Sequence, residues 1–434
     1  MIWNKEIECM NNDDMKALQS ERLSSLVRYL HENSPFYRSR FEKSGIEPLS
    51  LRSIEDIVRL PFTTKSDMRD TYPFNIFSKP LKEIGEIHVS SGTTGNPTVT
   101  GYTREDLDLW SHVVARCLGC AGAEPGDMIQ IAYGYGLFTG GLGLHYGALE
   151  MGLTILPMSA GQTKRQLKLM HDFRPRILAC TPSYALSMAD QAISDGIDPR
   201  QSSLEIGVFG AEPCSESMRK EIEEKWDILA TDIYGLSEII GPGVAQECEH
   251  KSGLHIFDDV FYPEIINPDS GEQVPEGEDG ELVITTLTKT GSPLIRYRTR
   301  DIVSIEREPC PCGRTSPRIS KIKGRTDDML IIRGINVFPS QIEHVLMGIE
   351  ETEPHYQLVV TRRDNSLDEI EIQVEVTPEF FSDEIKQLER LEDKIKAEMA
   401  SVLSLSAKVR LVEPGTIERS MGKAKRVIDK RSAK

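Results

Sequence analysis

One run of residues combines glycines with consecutive hydroxyl side chains: Ser90-Ser91-Gly92-Thr93-Thr94-Gly95, directly after a β-prone stretch at residues 86–89. Glycines let a backbone approach an anion closely, and successive hydroxyl and N–H groups can surround phosphate oxygens. The run lacks the Gly-Lys-Ser/Thr ending of a Walker loop. Because hairpin turns have a similar composition, the run by itself leaves two alternatives, a phosphate loop and an ordinary turn.

A second group of residues has the chemistry of a metal site. Cys310 and Cys312 flank a proline in a tight knuckle, and Cys248 lies upstream with His250 and His255. Tetrahedral Zn²⁺ takes four soft or borderline ligands of these types. We predict a closed, structural zinc site of Cys248, His255, Cys310 and Cys312, because an intervening glycine permits a turn back to Cys248. His250 is the alternative ligand, and reduced cysteines without metal are the alternative to a site, since C-x-C is an uncommon spacing.

The hydrophobic pattern indicates which elements would position these groups. Short β-prone runs alternate with helix-prone runs between residues 84 and 303. This alternation predicts α/β units around a largely parallel sheet. The clearest examples are strands at 128–132 and 204–209 and helices at 166–173 and 217–226.

Three other stretches have patterns of their own. Residues 15–41 have helical spacing, with Pro35 expected to end the helix, and residues 261–305 predict antiparallel strands or a small barrel. After a polar stretch at 324–328, the chain predicts a compact α+β unit. Its elements are helices at 342–347 and 383–399 and strands at 357–361 and 370–376.

Composition excludes several classes of protein. The chain has 434 residues, of which 39% are hydrophobic. Its 51 Lys+Arg and 68 Asp+Glu give a net charge of -17. This negative charge argues against a nucleic-acid partner. No apolar run approaches the ~20 residues that cross a bilayer, and no signal peptide is recognisable, so we expect a soluble, cytoplasmic protein without a membrane partner. Eight cysteines in a chain of this length do not indicate a disulfide scaffold.

Five motifs, in order along the chain, resemble those of the adenylate-forming superfamily of acyl-CoA ligases and their relatives. They are the run at residues 90–95, Tyr234-Gly235-Leu236-Ser237-Glu238, Arg296-Tyr297-Arg298-Thr299-Arg300-Asp301, Gly324-Arg325-Thr326-Asp327-Asp328 with Arg333-Gly334-Ile335-Asn336-Val337-Phe338-Pro339, and Gly422-Lys423. Within the superfamily the closest resemblance is to the phenylacetate-CoA ligase branch, carried by residues 133–141, 261–266, 287–289 and 327–334. Arg300 departs from the wider superfamily, in which glycine is usual, but this branch shares it.

The resemblance implies a large N-terminal α/β domain, residues 1–323, with a small barrel-like β subdomain, and a small mobile α+β C-terminal domain, residues 324–434. It also implies a two-step reaction. A carboxylate attacks the α-phosphorus of ATP to give an acyl-adenylate and pyrophosphate, and the thiol of CoA then attacks the acyl carbon. Because both reactants of the first step are anionic, catalysis must come mainly from charge neutralisation and alignment.

The resemblance assigns roles to individual residues. Lys423 and Glu238 would be catalytic: Lys423 would bridge the carboxylate and the α-phosphate, and Glu238 would hold Mg²⁺ beside Ser237. Asp327 would be the hinge of the C-terminal domain, and Gly334 would line the pantetheine tunnel. The remaining nucleotide-binding residues would be Ser90, Ser91, Gly92, Thr93, Thr94 and Gly95 at the phosphates, Gly210, Ala211, Glu212 and Pro213 at adenine, Tyr234 and Gly235 in the Tyr-Gly element, and Asp301 and Arg325 at the ribose.

Aromatic residues and glycines alternate at residues 133–141, so backbone and rings could form a flat slot for an aryl group. Tyr135, Phe138 and Gly140 are the candidates for the wall of that slot. The alternative is that these aromatic side chains belong to the core, where buried aromatics are common.

The sequence therefore predicts an ATP-dependent aryl acid:CoA ligase acting on phenylacetate or a close aromatic acid, with Mg²⁺ and a structural Zn²⁺. One rival is an adenylating synthetase with an acceptor other than CoA. Another is a catalytically silent relative that only binds a nucleotide or acyl group. The resemblance makes a homodimer the assembly to test, and the sequence leaves the acid and the oligomeric state open.

Overall fold

The computed structural model describes residues 1–90, 96–137, 139–326, 330–332, 335–337, 339–361, 369–378, 380, 385–403, 406–418 and 426–430. Within them the helices are α1 (Lys5–Glu8), α2 (Asn12–Asn33), α3 (Pro35–Lys43), α4 (Lys65–Asp70), α5 (Arg104–Ala121), α6 (Thr139–Met151), α7 (Thr163–Phe173), α8 (Pro182–Ser194), α9 (Glu216–Trp226), α10 (Pro339–Met347) and α11 (Ile385–Leu403). Among these described helices, none has the length and apolar character needed to span a membrane.

The strands fall into five sheets. They are β1 (Glu86–Val89), β2 (Val99–Tyr102), β3 (Met128–Ile131), β4 (Thr154–Pro157), β5 (Ile177–Cys180), β6 (Ile206–Gly210), β7 (Leu229–Leu236), β8 (Gly241–Glu247), β9 (Leu254–Ile256), β10 (Phe261–Ile266), β11 (Gly280–Thr286), β12 (Tyr297–Val303), β13 (Ile305–Glu306), β14 (Arg318–Ile319), β15 (Gly324–Arg325), β16 (Leu330–Ile332), β17 (Ile335–Val337), β18 (Thr352–Thr361), β19 (Glu369–Val376), β20 (Lys408–Val412) and β21 (Val427–Asp429).

The largest sheet has nine strands in the order β13-β14-β9-β8-β7-β6-β5-β3-β4. Strands β4, β3, β5, β6 and β7 run parallel, as the alternating pattern predicts. From β7 onward every pairing of the described strands in this sheet is antiparallel, beginning with β7 and β8, which a short connection joins. The expectation of a largely parallel sheet therefore holds for only one half of it.

Helices cover both faces of the parallel half. On β5, Ile177 and Ala179 belong to the same buried cluster as residues of α5 and α6, whereas Leu178 and Cys180 pack with residues of α8 and α9. Successive side chains of a strand point to opposite faces, so a strand with a layer of helices on each side is apolar throughout. This is why β5 and β6 are fully buried.

The predicted antiparallel strands between residues 261 and 305 are β10, β11 and β12. Together with β15 they form a four-stranded sheet in the order β10-β11-β12-β15. The β12–β15 pairing places Asp301 opposite Arg325. Two residues that lie 24 positions apart are thereby brought into one pair.

The N-terminal helical stretch is two helices rather than one. Helix α2 ends at Asn33, and Pro35 is the first residue of α3, with the Ser34 side chain accepting a hydrogen bond from the N–H of Tyr37. Proline is favoured at the first position of a helix, where its missing N–H costs nothing. The proline therefore ends one helix and starts the next.

The C-terminal part of the chain has a hydrophobic core of its own. Strands β20, β19, β18 and β21 form a four-stranded sheet, and its buried side chains cluster with those of α10 and α11. The predicted strands lie inside β18 and β19, the first predicted helix lies inside α10, and most of the second lies in α11. The α+β prediction for this region is confirmed.

Candidate functional site

Ser90 begins the predicted phosphate loop and contacts Thr98, which follows the loop and lies against the carboxylate of Glu238. Their hydroxyl oxygens are 2.6 Å apart, and the Thr98 hydroxyl donates to Glu238 Oε1 at 3.2 Å. The backbone closes the same ends, since Ser90 N–H donates to Thr98 O at 3.0 Å. Glu238 is only 7% exposed and follows β7. The structure thus brings Ser90 and Glu238 together from positions far apart in the sequence.

Two lysines compensate the charge of Glu238. Lys65, at the start of α4, lies 3.5 Å from Glu238 Oε1. Lys289 is buried behind the carboxylate, where its ammonium donates to Ile239 O at 2.7 Å and lies 4.5 Å from the centre of the Tyr102 ring. Burial lowers the pKa of Lys289 to about 8, although the nearby carboxylates by themselves would raise it. A buried carboxylate needs such partners, because an unpaired charge is costly to desolvate.

Tyr234, Asp301 and Arg325 form a second cluster in which each carboxylate oxygen has a donor. The Tyr234 hydroxyl donates to Asp301 Oδ2, and Arg325 donates to Asp301 Oδ1, both at 2.6 Å. Asp301 is 5% exposed, and burial raises the pKa of Tyr234 well above its usual value. The two residues predicted at the ribose, Asp301 of β12 and Arg325 of β15, therefore meet Tyr234 of the Tyr-Gly element, which comes from β7.

The backbone next to Asp301 has an unusual conformation. Arg300 has φ of 71°, in the left-handed region that favours glycine. Its N–H donates to Glu281 Oε1, and its carbonyl accepts from Thr326 N–H at 2.8 Å. The conformation explains why glycine suits this position in the wider superfamily. Arginine tolerates it here because hydrogen bonds hold both sides of the residue.

The predicted adenine segment follows β6. Gly210 sits so close to β7 that a Cβ there would lie 2.3 Å from Ile233 O, so only glycine fits. Ala211 has φ of 69°, which turns the chain away from the sheet. Glu212 Oε1 then accepts from Ser183 N–H at 2.7 Å, in the first turn of α8, while Pro213 is exposed. The segment is a tight turn anchored to a helix N-terminus.

The predicted aryl slot is a closed turn in the described residues 133–137 and 139–141. Gly141 N–H donates to Gly134 O at 3.2 Å, and a Cβ on Gly141 would lie 2.7 Å from that oxygen. The half-buried Tyr135 ring packs edge-on against His145, and burial raises the pKa of Tyr135 to about 12. At the start of α6, Gly140 is buried and Thr139 lies beside Ser237, with 3.3 Å between the hydroxyl oxygens.

The cysteine and histidine group predicted from sequence is also assembled. The ligand atoms of Cys248, His255, Cys310 and Cys312 all lie within 4.8 Å of one another, and among the described residues His250 is outside this group. The Cys248 and Cys310 sulfurs are 3.7 Å apart, and Cys312 Sγ is 3.4 Å from His255 Nε2. A zinc tetrahedron with usual bond lengths has S···S edges of about 3.8 Å and S···N edges of about 3.5 Å. The donor set fits Zn²⁺ in type and in size.

The surroundings of this cluster suit a metal that carries thiolates. The other ring nitrogen of His255, Nδ1, is 3.1 Å from Ser316 Oγ, the kind of contact that fixes the orientation of a ligating imidazole. Arg314 donates to Cys312 Sγ at 3.6 Å and to Glu8 at 2.6 Å. A hydrogen bond from Cys248 and the contact with His255 lower the pKa of Cys312, against the opposite effect of burial. Through Arg314 and Glu8, the N-terminal segment packs against the cluster.

Several predicted residues lie outside the described part of the chain. They are Ser91, Gly92, Thr93, Thr94 and Gly95 of the loop, Phe138 of the aryl slot, Asp327 at the hinge, Gly334 of the tunnel and Lys423. Lys65, in contrast, was not among the predicted site residues and lies beside Glu238. Its sequence context, Thr64-Lys65-Ser66-Asp67, reads as a helix N-terminus and has no feature that marks it as functional.

Comparisons with known proteins show the family of the chain. The family model for the AMP-binding enzyme matches residues 82–288, and that for the AMP-binding enzyme C-terminal domain matches residues 334–431. The phenylacetate-coenzyme A ligase of Thermus thermophilus is 49% identical, over 99% of this chain and 100% of its own.

Solved structures of a 2-hydroxyisobutyryl-CoA ligase also resemble the chain. The postadenylation state in complex with R3-HIB-AMP matches with a TM-score of 0.92 at 30% identity, covering 99% of this chain and 92% of that one. The thioesterification state in complex with 2-HIB-AMP and CoA matches with a TM-score of 0.73 at 31% identity, covering 99% and 93%.

The fold and the two matched domains define an adenylate-forming enzyme of the AMP-binding class. Within that class the chain belongs to the phenylacetate-CoA ligase branch. It is an AMP-forming acid–thiol ligase that uses ATP to make an acyl-adenylate and then an acyl-CoA.

Proposed function

We propose that this ligase activates phenylacetate or a closely related aromatic acid in the cytoplasm, as a step in the use of that acid. The observation that carries the proposal is the half-buried Tyr135 ring in a glycine-closed turn, whose far end contacts Ser237 through Thr139. A flat aryl group suits a slot of glycine backbone and aromatic ring. The names of the relatives support the same class of acid.

The nucleotide would bind along the line from Glu238 to Arg325. Residues 90–95 and Ser237 would face the triphosphate, Asp301 would accept the ribose hydroxyls, and residues 210–213 would lie beside adenine. In support, Asp301 is held by Tyr234 and Arg325 with both oxygens oriented. A carboxylate held in this way can exchange one of its partners for a sugar hydroxyl without losing its position.

Glu238 is the residue we propose as the Mg²⁺ ligand. Its buried carboxylate lies beside the Thr98 hydroxyl, and Mg²⁺ prefers hard oxygen ligands of this kind. The metal would supply charge neutralisation of the phosphates. Lys65, 3.5 Å from the same carboxylate, would add positive charge at this end of the site.

We further propose that Cys248, His255, Cys310 and Cys312 hold a structural Zn²⁺. Four enclosed ligands leave no open position for a reacting molecule, which is typical of structural zinc. Elemental analysis tests the site and the choice of histidine. Zinc should be retained at one equivalent in His250→Ala and lost in His255→Ala, and the opposite result would reassign the ligand.

The C-terminal domain, residues 324–434, would move against residues 1–323 between the two half-reactions, with Asp327 as the hinge. In support, the chain superposes better on the postadenylation state of its structural relative than on the thioesterification state, with TM-scores of 0.92 and 0.73. Lys423 would face the α-phosphate in the first step, and Gly334 would take its place along the pantetheine in the second. The assembly we propose is a homodimer, which light scattering would test.

Lys423→Ala tests the catalytic assignment. A unit charge ~4 Å from a phosphate oxygen contributes about 4 kcal/mol at an effective dielectric near 20, which corresponds to a loss of about 10³-fold in rate. We expect that loss in acid-dependent pyrophosphate release, whereas thioester formation from presynthesised acyl-adenylate should persist. The control is Lys425→Ala, in the same basic tail. An equal loss of both half-reactions would refute the role of Lys423.

The acid and the acceptor need a separate experiment. Pyrophosphate release is measured across aromatic and aliphatic acids, and the products are identified by mass spectrometry with and without CoA. We expect the highest kcat/KM with aryl acetates and a thioester only when CoA is present. A preference for aliphatic acids would overturn the aromatic assignment.

A further inference from the structure

We propose that His88 is a positioning residue of this enzyme: as an imidazolium, it ties the strand before the phosphate loop to the aryl slot, and so sets the affinity for the acid. The aryl slot here means the described residues 133–137 and 139–141. The inference rests on the proposed function of that slot. It concerns a residue that makes no contact with the predicted nucleotide-binding groups in the described structure.

His88 lies on β1 and is 1% exposed. Its Nε2 is 2.6 Å from Glu86 Oε1, on the same strand, and its Nδ1 is 3.0 Å from the carbonyl oxygen of Leu137, in the aryl slot. The second oxygen of Glu86 accepts from the hydroxyl of Tyr146 on α6 at 2.7 Å. One buried ring therefore joins β1, the aryl slot and, through Glu86, helix α6.

Both nitrogens of His88 face groups that can only accept hydrogen bonds. The Leu137 carbonyl has no proton to give. Burial by itself would raise the pKa of Glu86. The hydrogen bonds from His88 and Tyr146 outweigh burial, so the pKa is lowered. The carboxylate is therefore ionised and, like the carbonyl, can only accept hydrogen bonds. A neutral imidazole carries only one N–H, so its other nitrogen would be an acceptor that faces an acceptor oxygen. Only the imidazolium satisfies both contacts.

Other groups pack around the ring from each neighbouring element. The rings of Tyr102 on β2 and Trp110 on α5 lie edge-on to His88, with centroids 5.5 Å away in both cases. Beyond Tyr102 lie the charged groups that act on its hydroxyl or its ring, namely Asp106, Glu238 and Lys289. Among the described groups, the charge in direct contact with His88 is that of Glu86. The contacts of the ring are therefore two acceptors at its nitrogens and two aromatic rings at its sides.

The Leu137 carbonyl is the contact with a functional consequence. The slot is closed on itself by the Gly141–Gly134 hydrogen bond, and its far end meets Ser237 through Thr139. The bond from His88 holds the middle of this turn against β1, which ends at Val89, directly before Ser90. When His88 loses its second proton, it can keep either Glu86 or Leu137 but not both. The slot is then less well positioned for the acid.

The first test is the pH dependence of acid binding in the adenylation half-reaction. As pH rises, the KM for the acid should increase about tenfold in one step, the usual effect of losing one charge-assisted hydrogen bond, while the KM for ATP changes little. His88→Gln should show the higher acid KM at every pH, without the step. Glu86→Gln, which keeps the shape but removes the charge, should move the step to lower pH.

The matched control is His112→Gln. His112 lies between Glu150, at 3.3 Å, and the amide nitrogen of Asn4, at 3.2 Å, so one of its partners is a donor and a neutral ring satisfies both. This variant should keep the wild-type pH profile. Equal increases in the KM for acid and for ATP in His88→Gln, or an unchanged profile, would overturn the proposal.

A second measurement does not depend on activity. In protein labelled with ¹⁵N-histidine, the His88 signal is identified as the one perturbed by Glu86→Gln, and at neutral pH it should have the imidazolium pattern. A neutral-ring pattern overturns the proposal even if His88→Gln fails to fold. An imidazolium combined with an acid KM that is insensitive to pH also overturns it, while leaving the ligase function in place. A lack of acid-dependent pyrophosphate release would instead refute the proposed function.

Discussion

The proposed nucleotide site and the cysteine–histidine cluster are two buried polar regions that compensate their charges in opposite ways. In the nucleotide site, each acid is already paired within the protein: Asp301 with Tyr234 and Arg325, Glu238 with Thr98 and Lys65. In the cluster, three sulfurs and an imidazole nitrogen face one another, with Arg314 as the neighbouring cation.

The difference follows from how long each ligand stays. A substrate leaves in every cycle, so the site must remain stable when empty, and pairing its charges internally achieves that. A structural metal does not leave, so its ligands can be arranged for the metal alone. The first kind of region should therefore respond to mutation mainly in activity, and the second mainly in stability.

Glu238→Gln should have the largest effect, and on activity alone. Losing the carboxylate that we propose as the Mg²⁺ ligand should remove about 4 kcal/mol of transition-state stabilisation, or about 10³-fold in kcat/KM for ATP. Zinc content and melting temperature should stay at their wild-type values. Glu249→Gln, beside Cys248 and exposed, is the control that should change neither. A Glu238→Gln variant that loses zinc would contradict the separation of the two regions.

Cys310→Ser should have the complementary result. Loss of a metal site is among the most destabilising single changes, so we expect the free energy of unfolding to fall by about 3 kcal/mol or more, with loss of the proposed Zn²⁺. Denaturant unfolding and elemental analysis measure both. The folded fraction should keep a kcat/KM within about twofold of wild type, since the cluster lies outside the reacting groups. Cys214→Ser, at another buried thiol, should retain the metal.

Lys289 tests the contrast between the two regions, because it lies beside Glu238 and its lowered pKa contributes to the free energy of unfolding. Its pKa falls from 10.5 to about 8 on folding, so between these values the unfolded chain binds more protons and the free energy of unfolding rises with pH. The rise should reach about 3 kcal/mol at most, at 1.36 kcal/mol for each pKa unit. Lys289→Met should lack this rise when both proteins are unfolded by urea from pH 7 to 10.5. An identical pH profile in the two proteins would argue against a buried lysine with a lowered pKa.

Tyr234→Phe should have the smallest effect. It removes one hydrogen bond from Asp301 but leaves Arg325 in place, so the KM for ATP should increase about tenfold, the usual effect of losing a hydrogen bond to a charged group. Tyr184→Phe is the matched control, since it removes a buried tyrosine hydroxyl that donates to Gly161 O. Equal effects of the two changes on the KM for ATP would mean that Tyr234 acts on the fold rather than on Asp301.

Local patterns were sufficient to predict most elements. Strands β1 and β3, helix α9 and the C-terminal α+β unit appear where the spacing places them, because period and capping are properties of neighbouring residues. The antiparallel half of the large sheet was not predicted, since strand direction depends on how distant segments pair. Pro35 was correctly expected to end the helix, but the new helix that begins at Pro35 was missed, because a proline can end one helix or begin another.

The sequence by itself determined the superfamily, the two-step chemistry and the identity of most candidate residues, because the order of motifs and the types of ligand residues can be read directly from the sequence. Only the tertiary structure decided that His255 rather than His250 joins the cysteines, that Lys65 reaches Glu238, and that His88 lies between two acceptors. These contacts depend on distances of a few ångströms between segments tens to hundreds of residues apart. Packing of the folded chain sets such distances, and no local pattern encodes them.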